Sequence, residues 1–134
     1  MDELEDIRRK KREELLERLR KREEARAPPE KPITINDLNF HDVVRRYPLV
    51  VIDCWAPWCA PCKIMDSVIK KMASEYAGKV VFGKLNIDQN RATALHYKVS
   101  SIPTLLIMKD GKEVDRIVGA VPKKAVEDRL QPYL

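Results

Sequence analysis

Hydrophobic and polar residues divide this chain into two regions that meet near Ile33. From Ile33 onward, apolar runs typical of strands alternate with stretches in which apolar residues recur at helical spacing. Before Ile33, charged residues dominate, and the few apolar ones form a thin, interrupted stripe: Leu4, Ile7, Leu15, Leu16 and Leu19. The pattern therefore predicts a charged helix followed by a globular domain.

The order of elements in the globular region predicts a mixed β-sheet. Leu49–Trp55 is a nearly unbroken apolar run, which is typical of a strand covered on both faces. Asp110 and Gly111 separate two later apolar runs, as the turn of a β-hairpin does. The predicted strands are residues 33–35, 49–55, 79–87, 104–108 and 113–118. The order β-α-β-α-β-α-β-β-α predicts an α/β fold in which a mixed central sheet is flanked by helices.

Helices are predicted where apolar residues recur every three or four positions. They cover residues 39–47, the stretch from the cysteines to residue 76, residues 90–97 and residues 122–130. Asn39 is the predicted cap of the first helix, Asn90 begins the third, and Pro122 lies in the first turn of the last.

The first 32 residues predict a helix and a linker. They hold 11 lysines and arginines against 10 acidic residues, a net charge of about +1, while the whole chain carries +5. Acidic residues four positions before a base each favour a helix by about 0.2–0.5 kcal/mol; these pairs are Glu5–Arg9, Asp6–Lys10, Glu14–Arg18 and Glu17–Lys21. Pro28, Pro29 and Pro32 end the helix. We therefore predict a helical extension at residues 1–27, a proline-rich linker at 28–32 and a domain at 33–134.

Length and composition restrict the class of protein. The 134 residues suffice for one domain, and no run approaches the roughly 20 apolar residues of a membrane-spanning helix. Residues 1–10 lack the apolar stretch of a secretory signal. We therefore expect a cytoplasmic protein with no membrane partner. The three cysteines fit this expectation, because a secreted disulfide framework usually has an even, widely spaced set.

Two of the cysteines, Cys59 and Cys62, stand between the predicted strand 49–55 and the next helix. The backbone N–H groups and positive dipole of a helix N-terminus stabilise a thiolate and lower its pKa from about 8.5 towards 7. Cys59, at the exposed helix tip, is the predicted nucleophile, and Cys62, one turn further in, is predicted to attack the mixed disulfide. Pro61 suits this position because backbone N–H groups in the first turn of a helix have no partner within the helix, so the N–H that proline lacks is not needed.

The structural alternative is that this cysteine pair supplies half of the ligands of a zinc site. A structural zinc ion needs four ligands, and the chain has no second Cys pair. His41 and His96 are isolated in the sequence, so we predict surface positions for both and no metal site. Cys54, in the middle of an apolar strand, is predicted to be a buried small hydrophobe.

Four segments, in order, resemble the thioredoxin family. They are VIDCWAPWCAPCK at 51–63, KLNID at 84–88, SIPT at 101–104 and VGA at 118–120, and the resemblance extends from Ile33 to Leu134. A single Cys-x-x-Cys would be a weak signal, whereas four matched segments in order are a strong one. The resemblance implies the thioredoxin fold, with the N-terminal helix as an addition, and a thiol–disulfide oxidoreductase that reduces protein disulfides.

The resemblance also implies roles for residues outside the cysteine pair. Asp53 would be a buried carboxylate that assists proton transfer to and from Cys62, with Lys84 as its neighbour; the alternative is a purely structural carboxylate. Pro103 matches the family's cis-proline beside the dithiol, where the backbone of Ile102 would pair with an extended substrate. An apolar landing surface around Cys59 would consist of Trp58, Ala60, Pro61, Ile102, Gly119 and Ala120.

Two positions depart from the family pattern. Ala60 stands where the family most often has Gly, and Cys54 stands where it usually has an aromatic residue. The resemblance further implies a redox-active Cys59–Cys62 disulfide, no bound cofactor, and partners of two kinds: proteins with reducible disulfides and a thioredoxin reductase that carries flavin.

Two other functions are alternatives. An isomerase or oxidase usually has His between its cysteines, where this chain has Ala60 and Pro61. A binding module would use the extension to reach a protein or nucleic-acid complex, for example through the five consecutive bases of Arg8–Arg12. Since these bases wind around the helix and acidic residues flank them, a solvated, salt-bridged helix or a partner-docking helix is the favoured interpretation.

Overall fold

The computed structural model describes residues 2–26 and 28–134. Its helices are α1 (Glu3–Arg26), α2 (Phe40–Arg46), α3 (Ala60–Glu75), α4 (Arg91–His96) and α5 (Lys123–Leu130), followed by a short 3-10 helix at Gln131–Tyr133. Its strands are β1 (Ile33–Ile35), β2 (Leu49–Trp55), β3 (Val81–Asn86), β4 (Thr104–Lys109) and β5 (Lys112–Val118). The predicted extension at 1–27 includes Met1 and Ala27, which lie outside the described residues.

The strands form one mixed sheet in the order β1-β3-β2-β4-β5. β1 and β2 pair with β3 in parallel, whereas β4 pairs antiparallel with both β2 and β5. The predicted α/β fold with a mixed central sheet is therefore confirmed. β2 lies at the centre of the sheet, so the residues that follow it emerge at the middle of one sheet edge.

The two faces of β2 belong to two separate hydrophobic clusters. Leu49 and Val51 pack with residues of α3 and α5, whereas Val50, Ile52 and Cys54 pack with residues of α2. Because successive side chains of a strand point to opposite faces, Asp53 faces α3. Each fully buried aliphatic side chain of these clusters contributes about 1.5–3 kcal/mol of transfer free energy, which makes the sheet a rigid base for the site.

The hairpin between β4 and β5 turns at Asp110 and Gly111, as predicted. Both residues have positive φ angles, 50° and 83°, and Lys109 pairs with Lys112 across the turn. Two positive φ angles in a two-residue loop define the type I′ turn, whose twist matches that of the strands and which favours Asp-Gly.

Helix caps differ from the predictions. The Asn39 side chain accepts a hydrogen bond from the Asn36 N–H at 2.8 Å and makes no cap bond to α2. Asn90 directly precedes α4, close to the predicted start of that helix, and its side chain accepts a hydrogen bond from the N–H of Asp37 at 2.9 Å. Pro122 is the residue before α5, with an extended ψ of 159°, and does not lie in its first turn. The Asn39 bond stays within the loop before α2, whereas the Asn90 bond joins that loop to the loop before α4, which sequence spacing alone does not reveal.

The third strand is shorter than predicted because its first residues complete the preceding helix end. The N–H groups of Lys79 and Val80 donate to the carbonyl of Tyr76 at 2.9 and 3.0 Å, around Gly78 with its φ of 87°. Only from Val81 onward is the backbone available to pair with β1 and β2.

The N-terminal helix α1 is as charged as predicted, but its ion pairs differ. Asp6 pairs with Arg9 at 3.4 Å and Glu17 with Arg20 at 2.6 Å, a spacing of three residues where four was predicted. Its apolar residues are 45–58% exposed: Leu4, Ile7, Leu15, Leu16 and Leu19. Across the described part of the chain, no helix combines the length and apolar character needed to cross a membrane.

The linker packs more closely than a free spacer would. Pro29 and Pro32 are half-buried, and Pro28 lines a small cavity together with Tyr47 and Gly78. The polypeptide is therefore in contact with the globular part of the molecule several residues before β1 begins.

Candidate active site

Cys59 and Cys62 form a disulfide at the N-terminus of α3, with their Cα atoms 5.3 Å apart. Cys59 is the N-cap residue, and its Sγ accepts a hydrogen bond from the Cys62 N–H at 3.3 Å. Pro61 lies in the first turn, where no backbone donor is needed. The Cys59 sulfur therefore lies where the helix dipole and a backbone N–H both favour negative charge.

The expectation that Cys59 is exposed is wrong for this disulfide form. Cys59 is 5% exposed and Cys62 is 3% exposed, because the bond holds the Cys59 sulfur against the first turn of the helix. The exposed groups are its neighbours: Trp58, at 70%, together with Ala60 and Pro61.

Asp53 is fully buried, and among the described residues its carboxyl group has no hydrogen-bond partner. Burial raises the pKa of Asp53 to about 7, the positive charge of Lys84 acts to lower it, and the negative charge of Asp66 raises it further. A carboxyl group in this state can bind and release a proton near neutral pH.

Lys84 lies directly beside Asp53 in the paired strands β2 and β3. Its ammonium group nevertheless forms its ion pair with Asp66 on α3. Asp66 also pairs with Lys70 one turn further along, at 2.9 Å. The Lys84 Nζ additionally lies 4.6 Å from the ring centre of Trp55, within range of a cation–π contact.

A cleft of about 270 Å³ connects the dithiol with this charged group. Cys59, Cys62, Asp66, Lys84 and Trp55 contribute to its lining. The cleft therefore opens the buried side of the cysteine pair towards the Lys84–Asp66 ion pair.

The remaining loops of the site meet at the same edge of the sheet. The Ile102–Pro103 peptide bond is cis, in agreement with the sequence expectation. The Gly119 N–H donates to the Pro103 carbonyl at 2.8 Å, and the Val121 N–H contacts Met65 Sδ on α3 at 3.3 Å. Ala120 is exposed, whereas Ile102 and Gly119 are half-buried and Pro103 is buried.

The comparisons with known proteins agree with this geometry. A family model described as Thioredoxin matches residues 31–132. The chain belongs to the thioredoxin family. It is 45% identical over 101 residues to the thioredoxin of Synechocystis sp., covering 75% of this chain and 94% of that protein.

Further relatives and a solved structure extend this agreement. Identity is 41% over 99 residues to thioredoxin 2 of Chlorobaculum tepidum, with 73% of this chain and 91% of that protein covered. The solved structure of a mutant thioredoxin from Halobacterium salinarum NRC-1 superposes with a TM-score of 0.75 at 30% identity, covering 80% of this chain and 94% of that one. This thioredoxin-family protein is therefore a thiol–disulfide oxidoreductase.

Cys54, where the family usually has an aromatic residue, lies on the opposite face of the sheet from α3 and its cysteines. It is fully buried in the cluster with α2. Burial, followed by the negative charge of Asp53, raises the pKa of its thiol to about 12. A thiol with this pKa carries almost no thiolate near neutral pH, so Cys54 behaves as the buried hydrophobe that the sequence predicts.

His41 and His96 are exposed, as predicted, although they are less isolated than their sequence positions indicate. Both line a cavity of about 230 Å³ beside Phe40 and Tyr97. Within residues 2–26 and 28–134, no cluster of three or more His, Cys, Asp or Glu residues is arranged to hold a metal ion.

Two residues of the site were missed by sequence reasoning. Asp66 is the ion-pair partner of Lys84, and nothing in the sequence indicates this pairing between α3 and β3. Asp88 accepts a hydrogen bond from the Trp58 indole N–H at 3.0 Å and thereby orients the most exposed side chain beside Cys59. Asp88 lies inside the matched segment 84–88, but nothing in the sequence indicates its partner.

Proposed function

We propose that this protein acts as a reductant of protein disulfides, with Cys59 as attacking thiolate and Cys62 as resolving thiol. The observation that carries the assignment is the position of Cys59 as N-cap of α3, with its sulfur accepting the Cys62 N–H. Among the described residues, no backbone N–H donates to the sulfur of Cys62, which lies inside the first turn.

The proposed cycle balances without a further redox group. The Cys59 thiolate attacks one sulfur of the target disulfide, forms a mixed disulfide and releases the other target sulfur as a thiolate, which takes up a proton. The Cys62 thiol then loses its proton and attacks Cys59 Sγ, which forms the intramolecular disulfide and releases the second target thiol. Two electrons pass to the target, so no bound cofactor is needed in this half of the cycle.

Asp53 is the proposed acceptor of the Cys62 proton. Its carboxyl group is unpaired, faces α3 and has a pKa of about 7, so the ionised form is present near neutral pH. In the reverse direction the protonated carboxyl group returns the proton to Cys62. Lys84 is proposed to tune this exchange through its charge, rather than to carry the proton.

The apolar rim around the cysteines is the proposed landing surface for an extended substrate segment. The rim combines exposed residues with the cis-proline loop, which the Gly119–Pro103 hydrogen bond holds beside the end of β5. The proposed members are Trp58, Ala60, Pro61, Ile102, Pro103, Gly119 and Ala120. Its apolar character suits targets that differ in sequence but share a disulfide.

The other half of the cycle needs an external donor of two electrons, for which we propose a thioredoxin reductase. Each turnover leaves the Cys59–Cys62 disulfide, so the protein acts as an electron carrier between that reductase and the target. We propose the cytoplasm as its compartment, because the close cysteine pair and the unpaired Cys54 suit a reducing environment.

The deciding measurement is the reduction potential of the Cys59–Cys62 pair, equilibrated against glutathione or dithiothreitol buffers. We expect a value near roughly −270 mV, as for a thioredoxin that reduces other proteins. A value near about −180 mV or higher would instead indicate that the protein acts as an isomerase or an oxidase. Cys59→Ser is the control, since it removes the redox pair.

The two cysteine roles are separated by a matched pair of variants. Cys62→Ser should accumulate a mixed disulfide with a disulfide-bonded substrate such as insulin, because the resolving thiol is missing. Cys59→Ser should not, because Cys62 lacks activation at the helix tip. Mass spectrometry of non-reduced samples detects the adduct, and an adduct on Cys59→Ser alone would reverse the assignment.

A further inference from the structure

The charged groups beside Asp53 are arranged in an unexpected way. In the strand register, the closest cation to the buried carboxyl group is Lys84, which is the direct neighbour of Asp53 across β2 and β3. A buried carboxylate normally pairs with such a cation. Here, however, the ammonium group points to α3 and pairs with Asp66, while the carboxyl oxygens of Asp53 have no partner among the described residues.

Asp66 is itself well anchored. Its carboxyl group forms ion pairs with both Lys84 and Lys70, and its side chain is 25% exposed. The Lys84 Nζ also lies 4.6 Å from the ring centre of Trp55, so the ammonium group is held by two contacts, neither of them with Asp53. The arrangement therefore restricts where the Lys84 charge can be.

We propose that Asp66 is a positioning residue: it holds the Lys84 ammonium group in an ion pair and thereby leaves the Asp53 carboxyl group without a partner among the described residues and able to exchange a proton with Cys62. This inference rests on the proposed proton-transfer role of Asp53 and adds a residue that controls it.

The electrostatic surroundings support this role. The charges that act on Asp53 are those of Lys84 from β3 and of Asp66 from α3, and Asp66 also pairs with Lys70. On its own strand the adjacent titratable group is Cys54, which lies on the other face of the sheet. Lys84 lowers the pKa of Asp53, whereas Asp66 raises it. Asp66 thus counteracts the lowering of the Asp53 pKa by Lys84 in two ways: by its own negative charge and by its ion pair with the ammonium group.

The test follows the titration of Asp53 in the oxidised protein, in which Cys59 and Cys62 do not titrate. The midpoint is read from the ¹³C NMR shift of the Asp53 carboxyl carbon between pH 4 and 9. Asp66→Asn keeps the side-chain shape but removes the charge, so Lys84 is free to approach Asp53. We expect the midpoint to fall by about half a pH unit or more, because a cation near a carboxylate favours the charged form.

A double-variant comparison shows whether Asp66 acts through Lys84. In a Lys84→Met background, Asp66→Asn should lower the Asp53 midpoint by clearly less than it does in the wild-type background, since only the direct charge effect remains. An unchanged midpoint in Asp66→Asn would overturn the proposal. Equal shifts in the two backgrounds would also overturn it, because Asp66 would then act by its own charge alone.

Glu75→Gln is the matched control on the same helix. Glu75 pairs with Lys123 at 2.7 Å, as Asp66 pairs with Lys84, but lies about 13 Å further along α3. Its loss should leave the Asp53 midpoint unchanged; an equal shift would mean that any ion-pair loss on α3 moves the midpoint, which contradicts positioning by Asp66.

The kinetic readout is separate. In Asp66→Asn, the acid limb of the pH profile for insulin reduction should move to lower pH together with the Asp53 midpoint. If the midpoint moves but the pH profile does not, the positioning of Lys84 is retained, and the proposed role of Asp53 in proton transfer is the part that fails.

Discussion

Asp53 is a carboxylic acid that β2 carries into the core without a hydrogen-bond partner among the described residues. Such a group is costly in its charged form, which is why its pKa rises from 3.8 to about 7. The native state therefore binds more protons than the unfolded chain between these two values. The contribution of the neutral Asp53 carboxyl group to the free energy of unfolding is fully present below about pH 4. It is lost as the pH rises through about 7.

Asp53→Asn removes this dependence. At pH 8 the variant should exceed the wild type in free energy of unfolding by up to about 4 kcal/mol, the value that corresponds to pKa values of 3.8 and about 7. At pH 4 the two should be nearly equal. Urea unfolding of the oxidised proteins at both pH values checks this; a constant difference would contradict the titration of Asp53.

Cys54 provides a second test at the scale of single residues. Its burial and its pKa of about 12 predict that it does not react with a thiol reagent in the native state. In the reduced native protein, Ellman's reagent should oxidise the Cys59–Cys62 dithiol to its disulfide, with one reporter thiolate released per cysteine, but leave Cys54 intact. In guanidinium chloride all three thiols should react, and rapid native-state labelling of Cys54 would contradict the prediction.

Single residues also mark the limit of sequence reasoning. Asp53 was predictable because an acid inside an apolar strand is conspicuous in the sequence. Asp66 was not, because an aspartate on a charged helix resembles any solvated residue until the sheet places Lys84 opposite it. The burial of Cys59 was missed for a similar reason, since residue type and position at a helix start do not reveal it.

At the scale of elements, strands and turns were more predictable than helix ends. The predicted strand 49–55 has the bounds of β2, and the Asp110–Gly111 turn needed only local backbone preferences. The Asn39 side chain bonds Asn36, three residues away in its own loop, whereas the Asn90 side chain bonds Asp37, 53 residues away. A sequence rule assigns an asparagine before a helix to the cap because the rule does not include the other backbone groups that the side chain can bond.

Packing between β1 and β3 gives a prediction at this scale. A Cβ atom added at Gly83 would lie 2.7 Å from Ile35 Cγ1 and closer still to its Cδ1. Because Ile35 is buried, we expect Gly83→Ala to lower the free energy of unfolding by about 1–3 kcal/mol. In an Ile35→Ala background the same change should be nearly neutral, as urea unfolding can show; equal losses in both backgrounds would exclude the clash as the cause.

The whole molecule combines a compact redox domain with a charged helix, and we propose that the two are energetically separate. The family match begins at residue 31, and the apolar residues of α1 remain 45–58% exposed. Exposed side chains contribute little transfer free energy to folding. The linker belongs with the domain, since Pro28 lines a cavity with Tyr47 and Gly78.

A chain that starts at Pro28 should therefore keep the free energy of unfolding within about 0.5 kcal/mol of the full-length value, as expected when no buried contact is lost. It should also reduce insulin at the same rate, because every residue of the proposed site lies after Pro28. A loss of stability well beyond that range would show that α1 is part of the folding unit.

A second truncation decides where the folding unit begins. A chain that starts at Asn36 lacks β1, whose Ile35 is buried against α2 and whose backbone pairs with β3. Removing a buried isoleucine alone costs about 2–5 kcal/mol, so this chain should unfold at much lower urea concentration than the one that starts at Pro28. If both truncations were equally stable, β1 would be dispensable, and the domain would start later in the sequence than the proposed residue 33. If both were equally unstable, the boundary would lie before Pro28, and α1 would have to contribute contacts that its exposed leucines do not indicate.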